Sequence, residues 1–565
     1  MRKLTLTCIC LAILFTQYAH ANNIRVENVA FYKSDLQPAG TIDIKFDVIW
    51  DNPVSGTDAN SQAFFDRAWI FVKFWDTTKM GDPATGGDGA YSWGHGVLTT
   101  GGSLSTYSDT THTGLALTDG TAVGAFADMG TNKTVRWNYA ASLIPGTANY
   151  VASTDTVKVR VMAIEMVHIP EGPFWVGDAS STSTIMDKDD DSPALIGTTA
   201  SVIYSDDTDY DDAQFGQSGP GIWIKGDGGI SRTAATETDV NTSFPTGYNA
   251  FYIMKYDITQ GQYRDFLNML SRAAQNTRTG TSLAAGTTSV TNRYVMSNTS
   301  TLYNRQGIRC DGTINTSNAI IFYCDLNGNN MPNEADDGEW IACNYLSWMD
   351  VAAYADWAGL RPMTELEFEK ACRGGSATDN TVANEYAWGN TVIDYYSDLT
   401  DSGTISEVKG PTRPDANCNY SSSSPSGPVR SGMFATAFST RAGAGASYYG
   451  VMELSGNLWK RLVTVGNSGA NGGGGRLFAG THGDGVLTGS EVAATYRGNA
   501  TNTDWPGIYS TAAYGVYSGA SGSGSRGGSW YLDSFHARVS HRSHAASGRT
   551  ERNYYYGGRL SRTSP

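Results

Sequence analysis

Asn344-Tyr-Leu-Ser-Trp-Met-Asp-Val-Ala-Ala-Tyr-Ala-Asp-Trp-Ala-Gly-Leu-Arg-Pro-Met-Thr-Glu-Leu-Glu-Phe-Glu-Lys-Ala-Cys-Arg-Gly374 is the stretch on which the reading of the fold turns. Ser347 stands where a hydroxyl can cap one helix, and Thr364 with Glu367 forms a capping box for a second, which Gly374 closes. Upstream, Phe251-Tyr-Ile-Met-Lys-Tyr-Asp-Ile-Thr-Gln260 reads as a strand running into a helix, with Tyr263, Phe266, Leu267 and Leu270 on one face. Earlier still, Ile164-Glu-Met-Val-His-Ile-Pro-Glu-Gly-Pro-Phe-Trp-Val-Gly177 reads as a hairpin by its turn chemistry. Downstream come Tyr449-Gly-Val-Met-Glu-Leu-Ser-Gly-Asn-Leu-Trp459, Arg526-Gly-Gly-Ser-Trp530 and Gly557-Gly-Arg-Leu-Ser-Arg562.

Ordered blocks spread over most of residues 164 to 562 are far more specific than any single motif. Together they resemble the formylglycine-generating-enzyme (sulfatase-modifying-factor) family. The resemblance implies an irregular α+β domain related to C-type lectins, spanning residues 164–565, with inserts at about 179–245 and 275–340 expected as surface excursions.

The region before it has another character. In residues 22–163, Ile42, Ile44, Phe46, Val48 and Trp50 share one face of a strand, Trp69, Phe71 and Trp75 one face of another, and Val157, Val159 and Val161 alternate with Lys158 and Arg160. Period-two runs separated by Gly- and Thr-rich stretches predict an N-terminal all-β sandwich, a domain of its own. His95 and His112, in polar loops, read as surface imidazoles. Residues 1–21 carry a basic start, an apolar run from Leu4 to Phe15 and Ala19-His20-Ala21, the pattern of a cleaved export signal, so a secreted or periplasmic product is expected. No later apolar run is long enough to span a membrane. A net charge of −15 without a basic cluster argues against nucleic acid as a partner. Past the signal the cysteines are Cys310, Cys324, Cys343, Cys372 and Cys418, an odd number without C-x-x-C spacing. Buried thiols or a disulfide fit them better than zinc.

The family's oxidases hold copper through two cysteines shortly after the Gly-Gly-Ser-aromatic motif. The resemblance puts those positions on Leu532 and Ala537, which cannot ligate, and so implies no catalytic residues. In that family a Glu also follows the Gly-Asn-aliphatic-Trp motif and helps hold a structural calcium ion. Lys460 stands there, so that site is expected to be lost or replaced by an ion pair with Glu453. Calcium remains the one cofactor the sequence leaves open. Asp325, Asn327, Asn329 and Asn333 space oxygen side chains as calcium loops do, although an Asx-rich turn bonding its own backbone fits the same residues.

Residues 529–558 are expected to carry the ligand-binding region. Tyr531, Leu532, Asp533, Ser534, Phe535 and His536, then His541, Ser543 and His544, then Asn553, Tyr554, Tyr555 and Tyr556 are the types that dominate adaptable binding surfaces. Trp530, Arg538 and Gly557 are expected as their frame. Randomising the two adenines of Asn codons never yields Lys, Glu, Gln, Met or Trp. Those residues should number about five in such a window by average usage, yet Glu551 alone represents them between Tyr531 and Tyr556. The end of the chain thereby resembles the variable proteins of diversity-generating retroelements. The resemblance implies an exported, non-catalytic protein that displays a diversified surface to a protein or carbohydrate ligand on another cell or phage. An undiversified adhesion protein of the same fold is the alternative, and an oxidase the remote one.

Overall fold

The computed structural model describes residues 24–32, 38–81, 89–99, 115–117, 123–178, 186–187, 192–198, 202–205, 221–224, 243–332, 334–436, 439–465, 475–509, 516–517 and 519–565. The expected export signal, His112 and Asn333 lie outside them.

Among the described residues strands far outweigh helices, and the helices are short. Two long strands, Ala63–Asp76 and Val157–Ile169, form the spine, paired antiparallel from Val157 opposite Asp76 to His168 opposite Phe65. The expected division at 163/164 falls inside the second strand, and the sheet does not part there. Met166 to Ile169 go on to pair with Met254 to Phe251. That strand pairs in turn with Ser561–Thr563, and Leu560–Thr563 with Arg361–Pro362. One sheet therefore runs from the N-terminal region into the family-like region, and the largest apolar cluster is shared across it.

Burial follows this layout. Val157 to Arg160 alternate as the sequence suggests, whereas Ile164 to Ile169 are buried on both faces, because a neighbouring strand and the helices cover them there. The same holds for Phe65 to Asp76. On one side Phe74 meets Trp137 of a second, four-stranded sheet at 5.4 Å, where Ile44, Phe46 and Val48 point inward as expected. On the other, Phe71 stands edge-on to Trp357 at 5.2 Å, and Trp69 Nε1 donates to the Ala358 carbonyl at 2.7 Å. His95 is consequently a buried imidazole, not a surface one. Its Nδ1 lies 3.0 Å from Lys73 Nζ and its Nε2 2.5 Å from the Val123 carbonyl. Burial and the neighbouring Lys73 push its pKa well below 6.5.

Both expected helix starts are present. Ser347 caps Trp348–Trp357, with Asp350 completing a capping box. Thr364 and Glu367 do the same for Glu365–Arg373, which Gly374 ends at φ 93°. Tyr263, Phe266, Leu267 and Leu270 are buried as predicted.

Two further expectations fail. Phe174–Val176 pairs with Ala194–Ile196 instead of folding back on the strand before it. Lys370 explains the departure: its Nζ donates to the Pro170, Gly247 and Tyr248 carbonyls and draws the turn onto the 365–373 helix. The stretch 275–340 is no surface excursion either. Leu283, Val295, Ile308, Cys310 and Cys324 are buried in the shared core, and Gln275 bonds the Leu267 and Ile320 carbonyls at 3.1 and 2.9 Å.

Candidate binding surface

Arg526-Gly-Gly-Ser-Trp530 makes the floor of the site. Ser523–Arg526, Trp459–Val463 and Tyr556–Gly558 form a small sheet. Gly527, at φ 88°, places its α-carbon where a Cβ would stand 2.1 Å from the Leu454 carbonyl, so the tight turn admits glycine alone.

From this floor the chain between Trp530 and Tyr556 is tied down by buried ion pairs to the two capped helices. Arg526 reaches Glu365 at 3.0 Å and also pairs with Glu369, and Arg542 reaches Glu365 at 2.8 Å. Arg552 pairs at 2.7 Å with Asp350, the capping-box carboxylate, which Arg278 approaches at 3.2 Å. The guanidinium groups hold the Asp350 carboxyl below its usual range against the opposing effect of burial. Anchors of this kind show no sequence periodicity, and reading along the chain misses Arg542 and Arg552.

The expected contact residues gather into two adjoining groups. In one, the Tyr531, Tyr554 and Tyr555 rings lie 4.9 to 5.9 Å apart. Trp530 lies behind Tyr554 at 5.6 Å and donates from Nε1 to its carbonyl at 3.1 Å. Tyr531 is 50% exposed, while Tyr554 and Tyr555 are half-buried. In the other group, Phe535, His536, His541 and His544 cluster around Trp459, whose ring is 6.0 Å from His536 and 4.7 Å from His544. Asp533 Oδ1 lies 2.7 Å from His536 Nδ1, and Ser543 Oγ 2.9 Å from His544 Nδ1. Asn553 Oδ1 accepts from the Tyr554 N–H at 2.8 Å, and the Leu532 carbonyl accepts from the Ser421 N–H at 2.9 Å. Ser534 opens a single turn of helix ending at Ala537.

Two expected contact residues face inward instead. Tyr556 is 1% exposed because it begins a strand and carries Arg461 over its ring at 3.7 Å. His541 is buried under Phe535 and His536, at 4.3 and 4.9 Å. Of the expected frame, Trp530 and Gly557 are buried, whereas Arg538 is partly exposed and lies over the Phe535 ring at 4.6 Å. Burial and neighbouring cations lower His541 to about 3 and His544 to about 4, so both rings are neutral at neutral pH. Trp459 Nε1 and His541 Nε2, both in the second group, are buried without a hydrogen-bond partner.

Metal-binding capacity is limited here. Leu532 and Ala537 offer no donor atom. Ala537 packs in a small cluster with Tyr386, Trp388 and Cys418, which brings one thiol near the position where the family resemblance places copper. Burial pushes that thiol up to about 12, and its Sγ donates to the Ser455 carbonyl at 3.5 Å. A single protonated thiol does not fit a two-thiolate copper centre. All five described cysteines are free and buried. Lys460 Nζ donates to the Gly456 carbonyl at 2.5 Å, while Glu453 Oε1 accepts from the Gly432 N–H at 2.6 Å. The replaced carboxylate is thus answered by a backbone bond, and the expected contact with Glu453 gives way to it. In the loop after Cys324, Asn327 and Asn329 make the Asx turns, accepting from the N–H two residues on at 3.0 and 2.7 Å. Asp325 is engaged by Arg309.

The fold and surface define a class: an irregular scaffold of short capped helices and small sheets that holds a C-terminal aromatic and imidazole face. A family model of the sulfatase-modifying factor enzyme 1-like domain matches residues 219–563, and the chain belongs to that family. Over 46 residues it is 50% identical to the formylglycine-generating enzyme of Streptomyces coelicolor, a match covering 8% of this chain and 13% of that protein. Among solved structures it is similar to Treponema denticola variable protein 1, at 12% identity and a TM-score of 0.28, over 71% of this chain and 96% of that one.

Proposed function

We propose that the protein is a non-catalytic binding protein whose exported form presents the Tyr531–Tyr555 face, diversified in sequence, to a protein or carbohydrate ligand on another cell or phage. The observation that carries this reading is the convergence of separate segments into one aromatic face over an anchored frame. Tyr531, Tyr554 and Tyr555 come from opposite ends of the loop, yet stand ring to ring. Phe535 and His536 adjoin them, and Arg526, Arg542 and Arg552 hold the backbone from below through buried carboxylates. Tyrosine and histidine offer large amphipathic contact area at small rotamer cost. The buried Trp459 Nε1–H, a donor without a partner behind the imidazole group, is the kind of cost tolerated at functional sites.

Substitution at this surface should be separable from folding. Tyr531→Ala removes a half-exposed ring and should leave the melting temperature almost unchanged, whereas Trp459→Ala should cost about 3–5 kcal/mol of stability. The deciding measurement is deep sequencing of the gene's 3′ end in a growing population. Substitutions concentrated at the codons for the exposed residues between Tyr531 and Tyr555, and rare at Arg526, Arg542 and Arg552, are expected. Uniform codons across the region would overturn diversification. Formation of formylglycine on a cysteine peptide in the presence of copper would overturn the non-catalytic reading.

A further inference from the structure

The loop Asp325–Asp337 lies outside the binding surface, and its carboxylates have no part in the function proposed above. Glu334, Asp336 and Asp337 each bring an oxygen within 4.8 Å of the others. The side-chain amides of Asn327 and Asn329 donate to the Glu334 and Asp336 carboxylates and offset part of the repulsion between like charges so close; a cation among them would offset the rest. Asp337 adds an independent sign. Its side chain is fully buried, its Oδ2 accepts from the Glu334 N–H at 2.7 Å, and its Oδ1 has no hydrogen-bond partner. Asp325, equally buried, likewise has an unpartnered Oδ1. A buried carboxylate oxygen without a donor is expensive, and a bound cation is the ordinary remedy.

We propose that Glu334, Asp336 and Asp337 bind a calcium ion. The donor set consists of carboxylate oxygens, which suits a hard cation and not zinc or copper. Magnesium is the weaker candidate, because it demands near-ideal octahedral geometry and keeps several of its waters. The ligands follow one another within four residues of an irregular loop, where calcium's flexible coordination is an advantage. The loop is closed on itself by the Leu326 N–H, which donates to the Asp337 carbonyl at 3.2 Å, and is held to the body where the Gly338 N–H donates to the Gly403 carbonyl at 3.0 Å. The proposed ligands directly follow Asp325, Asn327, Asn329 and Asn333, the residues whose spacing suggests calcium in the sequence. Asn327 and Asn329 spend their oxygens on the loop's own backbone, and the acidic residues that follow supply the charge.

The test is thermal melting of the full chain, stripped with chelator and then titrated with calcium chloride alone, with magnesium as the control. Calcium at about 10 mM should raise the melting temperature by about 2 °C or more, as any ligand of the native state does. Magnesium should do clearly less. Asp336 is exposed, so Asp336→Asn cannot disturb the core. It should shift the calcium midpoint at least about tenfold, since ligand charge count tunes calcium affinity. The double variant D336N/D337N should lose the calcium response while melting no lower than the stripped wild type, because it removes like-charge repulsion. A wild type indifferent to calcium, an equal response to magnesium, or an unaltered midpoint in Asp336→Asn would each overturn the proposal.

Discussion

His541 and His544 show how far a side chain's chemistry departs from its sequence reading. Both are histidines in a polar stretch, expected to touch ligand, yet one is buried and both are held neutral by burial and by the neighbouring His536 and arginines. Their folded-state pKa values lie below the unfolded value of about 6.5. Above that pH neither state binds the proton and no stability is at stake. As pH falls, the unfolded chain takes up protons that the folded one refuses, at up to about 1.4 kcal/mol per pH unit for each ring. Stability should therefore decline from pH 6.5 towards 4. Urea melts of wild type and of His541→Asn across that range check the point: the variant should show the shallower decline, and parallel curves would assign the acid sensitivity elsewhere.

At the scale of the element, Lys255 is the most exacting position. It follows the 251–254 strand and ends, almost wholly buried, between Glu165 at 2.7 Å and Asp66 at 2.9 Å, one on each long strand, while donating to the Asn52 carbonyl at 2.7 Å. Removing one member of a buried charged group leaves the others uncompensated, at a cost of about 3–5 kcal/mol. Lys255→Met should therefore lower the denaturation midpoint by that measure. A loss under about 1 kcal/mol would show that the carboxylates find protons or water instead. The helices were legible in advance because their signals are local: Ser347, Thr364, Glu367 and Gly374 declare a start or a stop within one turn. The hairpin at 164–177 was misread because its turn chemistry is right, but Lys370, some two hundred residues later, redirects the strand. Tyr531, Tyr554 and Tyr555 stand out in the sequence by residue type, and the structure brings their rings together. Nothing in the sequence separates them from Tyr556, which strand pairing turns inward.

The same limit operates on the whole molecule. Period-two alternation in residues 22–163 describes one face of each strand, and the sequence does not say what covers the other. The structure covers it with Trp357, Ala358 and Lys73's contacts, Nζ reaching the Gly485 carbonyl at 3.1 Å. A change of composition near residue 164 thus coincides with no break in the sheet. A chain beginning at Ile164 would lose the first half of the 157–169 strand and the whole 63–76 strand paired with it, and would expose Trp357 and Tyr252. It should be insoluble or molten, binding a hydrophobic dye and lacking a cooperative melt. A sharp transition in that fragment would restore the N-terminal region as an independent unit.

The strand Leu560–Thr563 lies between Phe251–Met254 and Arg361–Pro362, inside the sheet and not at its edge. Its place makes completion of the sheet depend on the chain's last residues. A stop codon or frameshift arising between Tyr531 and Tyr556 deletes this strand and leaves the two that flank it with open edges. Such a product should fail to complete its fold and fall to proteases, whereas a missense change at an exposed position such as Tyr531 should not. Truncated products should therefore accumulate far less than full-length ones, wherever in that stretch the stop falls.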